Sequence, residues 1–125
     1  MKILVAEDEP MLLKTIELKL RKEGYEVVTT SDGREAAARI DDADPDIVIT
    51  DIMMPYVSGL EIVSLLRKKT HKKIPIIMLS AMEQEKVVME AFELGADDYI
   101  TKPFSLNELA MRVKKLAAQL GRNNP

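Results

Sequence analysis

The sequence predicts an α/β fold, a five-stranded parallel sheet of strand order 2-1-3-4-5, doubly wound with five helices. Two observations lead there. Short, nearly continuous apolar runs rich in Val and Ile recur five times, as strands covered by helices on both faces require. Between them lie longer stretches whose apolar residues fall three and four apart, the mark of a helix with one buried face. Alternation of the two with short connections forces parallel strands and right-handed crossovers. The order 2-1-3-4-5 sets the C-terminal ends of the first and third strands side by side, at the switch point where ligands bind in open sheets.

Strands are expected at Lys2–Ala6, Glu26–Thr30, Ile47–Thr50, Ile76–Ser80 and Tyr99–Thr101. Leu12, Leu13, Ile16 and Leu20 mark the first helix, ended by Gly24, and Ala36, Ala37 and Ile40 a short second one before Pro45. Ile62, Val63, Leu65 and Leu66 mark the third. Val87, Ala91 and Leu94 give the fourth, stopped by Gly95, and Leu106, Leu109, Val113, Leu116 and Leu120 the fifth, expected to stop at Gly121. Three helix starts carry a capping residue with Glu three positions on: Asp32 and Glu35, Ser58 and Glu61, Ser105 and Glu108. Residues 1–120 are therefore read as one domain, and 121–125 as a tail or the start of a linker to an effector domain outside this chain.

Composition narrows the function classes. The chain has 125 residues, 18 Lys+Arg against 21 Asp+Glu for a net charge of −3, and no Cys, so disulfides and zinc–thiolate sites are excluded. The apolar run Ile3–Ala6 stops at Glu7-Asp8-Glu9, too short for a signal-peptide core or a membrane span. A cytoplasmic protein without membrane contact is expected. The acidic balance and the few aromatics, Tyr25, Tyr56, Tyr99, Phe92 and Phe104, argue against direct nucleic-acid contact by this domain.

The chemistry collects at the switch point. The first strand ends in Glu7-Asp8 and the third in Asp51, so the topology brings three carboxylates to one edge. Like charges that close disfavour one another unless a cation neutralises them. Oxygen ligands without His or Cys suit a hard divalent ion, Mg2+ or alternatively Mn2+, which is commonly shared with phosphate oxygens. Ser80 ends the fourth strand and Lys102 follows the fifth, directly before Pro103, and both side-chain types bind phosphoryl oxygens. The five glycines are isolated from one another, so neither a dinucleotide fingerprint nor a P-loop is present. Ile52 and Met53 follow Asp51, where a phosphohydrolase of the aspartyl-phosphate kind would carry a second acid. A nucleophilic carboxylate without a dedicated base is suited to acquire a phosphoryl group on Asp51 and to keep it for a time.

These residues resemble the receiver domain of two-component response regulators, from Lys2 to about Leu120. The matching motifs are Glu7-Asp8, Asp51 with Met54-Pro55 and Gly59, Ser80-Ala81, and the run Gly95-Ala96-Asp97-Asp98-Tyr99-Ile100-Thr101-Lys102-Pro103-Phe104. The resemblance implies a flavodoxin-like fold. It implies that Asp51 takes the phosphoryl group from a phosphohistidine on a sensor histidine kinase, and that Glu7, Asp8, Asp51 and the backbone carbonyl of Met53 hold Mg2+. It further implies that Lys102 and Ser80 bind the phosphoryl oxygens, that Ser80 moves toward them, and that Tyr99 swings into the vacated space. Such a protein is not a conventional enzyme; it transfers a phosphoryl group to itself and releases it slowly.

The fourth helix carries apolar residues beyond its core stripe, Val88, Met89 and Phe92, which read as a partner surface. Beside them Asp97, Asp98, Glu108, Arg112 and Lys114 form an alternating charge set able to pair across a two-fold axis. This resembles the dimer face of receivers fused to winged-helix DNA-binding domains, so a homodimer enhanced by phosphorylation is expected. Val88 stands where that class carries a base, with Lys86 the nearest cation. The basic run Arg67–Lys73 reads as cations favoured at the C-terminus of the third helix, away from the site, His71 as a solvated loop residue, and Met53, Met54, Met78 and Met82 as packing or limiting water access around the site. Two other functions compete: a stand-alone receiver that relays phosphate or binds a target protein, and a metal-dependent phosphohydrolase.

Overall fold

The computed structural model describes residues 1–69, 73–81 and 85–123. His71 and Met82 lie outside the described residues. Five parallel strands, β1 (Lys2–Ala6), β2 (Glu26–Thr30), β3 (Ile47–Asp51), β4 (Ile76–Ser80) and β5 (Asp98–Thr101), form one sheet in the order β2-β1-β3-β4-β5. Helices α1 (Pro10–Lys22), α2 (Gly33–Ala43), α3 (Gly59–Lys69), α4 (Glu85–Leu94) and α5 (Leu106–Asn123) alternate with them. The fold is the one the sequence predicts. In register, Leu4 sits beside Val28 and Val48, and Val48 beside Ile76.

Because side chains alternate along a strand, each strand feeds two cores. Leu4, Ala6, Val48 and Met78 point to one face, against Ile40, Ile62, Leu66 and Ala91 from α2, α3 and α4. Ile3, Val5, Ile47, Ile49, Ile77 and Leu79 point to the other, against Ile16 and Leu20 of α1 and Leu109, Val113 and Leu116 of α5. The Val, Leu, Ile and Met side chains among these contribute about 1.5–3 kcal/mol of burial each, so the double layer and not any one helix makes the platform rigid.

The helix starts obey their capping chemistry. The N–H of Glu35 donates to Asp32 Oδ1 at 2.8 Å, that of Glu61 to Ser58 Oγ at 3.2 Å and that of Glu108 to Ser105 Oγ at 3.0 Å. One expectation fails. Helix α5 does not stop at Gly121 but runs on to Asn123. Gly24 and Gly95 end their helices with φ of 98° and 114°, whereas Gly121 lacks a positive φ, and an interior glycine weakens a helix without forbidding it. Arg67 lies near the end of α3, and its guanidinium donates to the carbonyls of Ile74 (2.8 Å) and Gly95 (2.6 Å) and to Asp97 Oδ2 (3.1 Å). Asp97 Oδ2 also accepts the N–H of Ile76 at 2.8 Å, so this knot fastens the starts of β4 and β5 to α3 at the edge opposite Asp51.

Candidate functional site

Glu7 follows β1, Asp51 ends β3 and Ser80 ends β4, while Lys102 follows β5; the sheet order collects all four at one edge. Glu7 is held where its strand runs out, its N–H donating to the carbonyl of Thr30 at 3.1 Å. Gly59 lies against the peptide of Asp51 so closely that a Cβ there would sit 2.2 Å from the Asp51 carbonyl oxygen. A side chain at residue 59 would displace the strand end that carries the carboxylate.

One oxygen from each of Glu7, Asp8 and Asp51 falls within a 4.8 Å cluster. Glu7 is wholly buried, Asp51 is 6% exposed and Asp8 faces solvent. The Lys102 ammonium donates to Glu7 Oε1 at 2.8 Å and to Asp51 Oδ2 at 2.6 Å, while the N–H of Met53 donates to Asp51 Oδ1 at 3.1 Å. Glu7 Oε2 is buried without a hydrogen-bond partner among the described residues.

Burial above all, together with the hydrogen bond and charge of Asp51, pushes the Glu7 carboxyl up to about 7 against the pull of Lys102. Burial works against the charge of Lys102, but the hydrogen bonds and charges of Asp51 and Glu7 outweigh it and raise the ammonium above its usual range. The arrangement is short of positive charge. An orphaned buried carboxylate oxygen, two further carboxylates within reach and an open side at Asp8 fit a hard divalent cation.

The other predicted residues fall into two groups. Ser80 is buried at the same edge, its carbonyl accepting the N–H of Lys102 at 2.7 Å. Tyr99, half-buried, packs on the core beneath α4 with Val87 and Leu94. On α4, Met89 and Phe92 are exposed and Val88 half-buried. Arg112 donates to Asp98 Oδ1 at 2.6 Å and to Glu108 Oε1 at 3.0 Å, and Lys114 is exposed. Asp97 pairs with Arg67 at 3.1 Å.

One feature of the site has no sequence signal. Tyr56 sits in the left-handed region with φ of 72°, exposed, its ring under the guanidinium of Arg34 at 4.0 Å.

Residues 3–114 match the model of the response regulator receiver domain. This chain belongs to that family. Among solved structures, the receiver resembles the receiver domain of the Francisella response regulator 1452, with 36% identity, 95% of this chain and 98% of that one covered, and a TM-score of 0.89. It resembles the Vibrio cholerae chemotaxis protein CheY4 at 31% identity, with 92% and 97% covered and a TM-score of 0.85. It also resembles TrrA of Thermotoga maritima, solved in complex with Mg2+–BeF, at 39% identity, with 92% and 97% covered and a TM-score of 0.81. Receiver domains take phosphate from histidine kinases, and among the described residues of this receiver the carboxylate both buried at a strand end and clamped by Lys102 and a backbone N–H is Asp51.

Proposed function

We propose that Asp51 is the phosphoacceptor of a signalling switch, charged by a sensor histidine kinase. A carboxylate oxygen of Asp51 forms the new bond to phosphorus, the P–N bond of the phosphohistidine breaks, and the imidazole leaves with a proton. Glu7, Asp8 and Asp51, with the carbonyl of Met53, would hold Mg2+, or Mn2+ in its place. Bound there, the ion neutralises charge on the acceptor and on the phosphoryl oxygens. Lys102, whose ammonium already lies 2.6 Å from Asp51, and the hydroxyl of Ser80 take the phosphoryl oxygens. The observation that carries this reading is the wholly buried Glu7, one oxygen on Lys102 and the other without a partner, beside Asp51. The Mg2+–BeF complex of the TrrA relative supports the same ion and an anion at this edge.

Movement of Ser80 toward the phosphoryl group, and of Tyr99 after it, repacks the face of α4, β5 and α5. This is a packed element with two arrangements, biased by a local charge. The exposed Met89 and Phe92, beside Val88 and the Asp98, Glu108 and Arg112 cluster, support homodimerisation through that face. Asp97 and Lys114 flank it. A DNA-binding output domain in the same protein, working in the cytoplasm, is the downstream reading. A stand-alone receiver that relays phosphate or binds a target protein uses the same site.

The test is intact mass after incubation with acetyl phosphate, with and without Mg2+, for the wild type and Asp51→Ala, alongside size-exclusion chromatography. One Mg2+-dependent phosphoryl adduct, lost in the variant, is the expected result. A monomer-to-dimer shift on phosphorylation supports the transcription-factor reading over the stand-alone one. Turnover of small phosphate esters without an adduct would instead make the protein a phosphohydrolase.

A further inference from the structure

The loop from Ile52 to Ser58 carries the Met53 N–H that holds Asp51, yet its outer half is fastened not to the sheet but to the start of α2. Gly33 N–H donates to the Pro55 carbonyl at 3.2 Å. Gly33 also lies so close to the loop that a Cβ would sit 1.8 Å from the Val57 carbonyl oxygen. Next along α2, the Arg34 guanidinium stacks 4.0 Å over the ring of Tyr56. Tyr56 adopts φ of 72°, a conformation that costs a non-glycine residue on the order of 1–3 kcal/mol and persists only where surrounding contacts hold it. Its ring is 70% exposed, so burial does not hold it there. Around it the Val57 N–H donates to the Pro55 carbonyl at 2.9 Å, closing a tight turn whose two flanking residues rest on Gly33, and among the described residues the Arg34 stack is the contact on the Tyr56 side chain itself.

We propose that Arg34 and Tyr56 form a latch that positions the loop, so that its release loosens the Met53 peptide against Asp51 and weakens both cation binding and retention of the phosphoryl group. The two side chains are positioning residues; neither touches the reacting atoms. The latch rests on the reading of Asp51 as phosphoacceptor. Because the stack is on the surface, it can be removed without opening a cavity in either core. Arg is suited to the role, being planar, always charged and able to lie flat on a ring, and Lys keeps the charge but stacks less well.

The test uses the whole chain with four variants, Arg34→Ala, Arg34→Lys, Tyr56→Ala and the double Ala variant. Free Mn2+ is followed by electron paramagnetic resonance to obtain metal affinity, and the phosphoryl adduct is followed by mass after loading with acetyl phosphate. Each single Ala variant is expected to lose roughly two- to fivefold in Mn2+ affinity, the ratio an exposed cation–π contact can shift. The adduct half-life shortens in the same variants, the double variant is no worse than the worse single one, and Arg34→Lys recovers part of the loss. Melting temperatures within a few degrees of wild type separate positioning from unfolding. Wild-type values in every variant, additive losses in the double variant, or losses that follow the melting temperature would each overturn the latch. A wild type that takes up neither Mn2+ nor phosphate would overturn the phosphoacceptor reading itself, and the latch with it.

Discussion

Lys102 and Asp51 are 51 positions apart in the chain and 2.6 Å apart in the structure, ammonium to carboxylate, with Glu7 taking a second N–H of the same ammonium at 2.8 Å. Without a metal, Lys102 is the cation that makes the cluster tolerable. It is also a competitor for any ion that enters, because it occupies two of the same carboxylates.

Replacing Lys102 by Met is therefore expected to tighten Mg2+ binding, by at least about tenfold from the loss of a positive charge a few ångströms from the ion. The same change removes the partner of the phosphoryl oxygens, so adduct formation no longer shifts the oligomeric state. Titration calorimetry with Mg2+ checks the first half and size-exclusion chromatography the second. Weaker Mg2+ binding in the variant would contradict the competition.

Glu7 gives the metal-free chain a pH dependence. Its folded value of about 7 exceeds the ordinary 4.5, so between the two the folded state holds a proton that the unfolded chain has released. Stability from this group is full below about 4.5 and falls as pH rises toward 7, by up to about 3 kcal/mol. Urea melts in EDTA across that interval should show the decline, and Glu7→Gln should flatten it. A decline of equal size in Glu7→Gln would assign it to another group.

A methyl group at residue 59 meets only backbone: the Asp51 carbonyl oxygen at 2.2 Å and the Ile52 Cα at 2.8 Å. Gly59→Ala should cost on the order of 2–3 kcal/mol in chemical denaturation, as overpacking against rigid atoms does. It should also slow phosphorylation of Asp51. Wild-type stability in this variant would show that α3 can move away from the strand end.

Arg67 makes three hydrogen bonds to Ile74, Gly95 and Asp97, and Asp97 in turn caps Ile76. Arg67→Met leaves two carbonyls and a half-exposed carboxylate without that donor, and a loss of roughly 2 kcal/mol is expected in urea melts. The knot lies at the edge remote from Asp51, so the Mg2+-dependent adduct should survive in the variant, as mass spectrometry would report.

Most of the fold was legible in the sequence because each boundary carried its own local chemistry. Asp32, Ser58 and Ser105 announced helix starts, and Gly24 and Gly95 announced ends. Gly121 misled because a glycine ends a helix only where the chain turns left-handed after it, and residue 121 does not. The acidic edge was legible one step later, since strand order alone brings Glu7, Asp8 and Asp51 together. Two properties of that edge were not. The complete burial of Glu7 is a property of the packed sheet edge, and the anchoring of Arg67 depends on Ile74 and on the single loop between α4 and β5, 28 and 30 residues further along the chain. Tyr56 was invisible because no residue type announces the turn that the Val57 N–H closes on the Pro55 carbonyl at 2.9 Å, nor the stack from Arg34 on α2.

The central strand β3 has β1 on one side, β4 on the other and a core on each face, and Ile47, Val48, Ile49 and Thr50 are without exposure. Their amide hydrogens can meet solvent only when the whole domain opens, whereas residues 53–58, which are exposed or half-buried, can open by themselves. Asp51 stands at the junction of these two regimes. The carboxylate is fixed in space by the slowest-exchanging part of the molecule, while the peptides that sense its state belong to one of the fastest. A charge arriving on Asp51 is therefore felt first in the local opening equilibria at the rim of the sheet, ahead of β3.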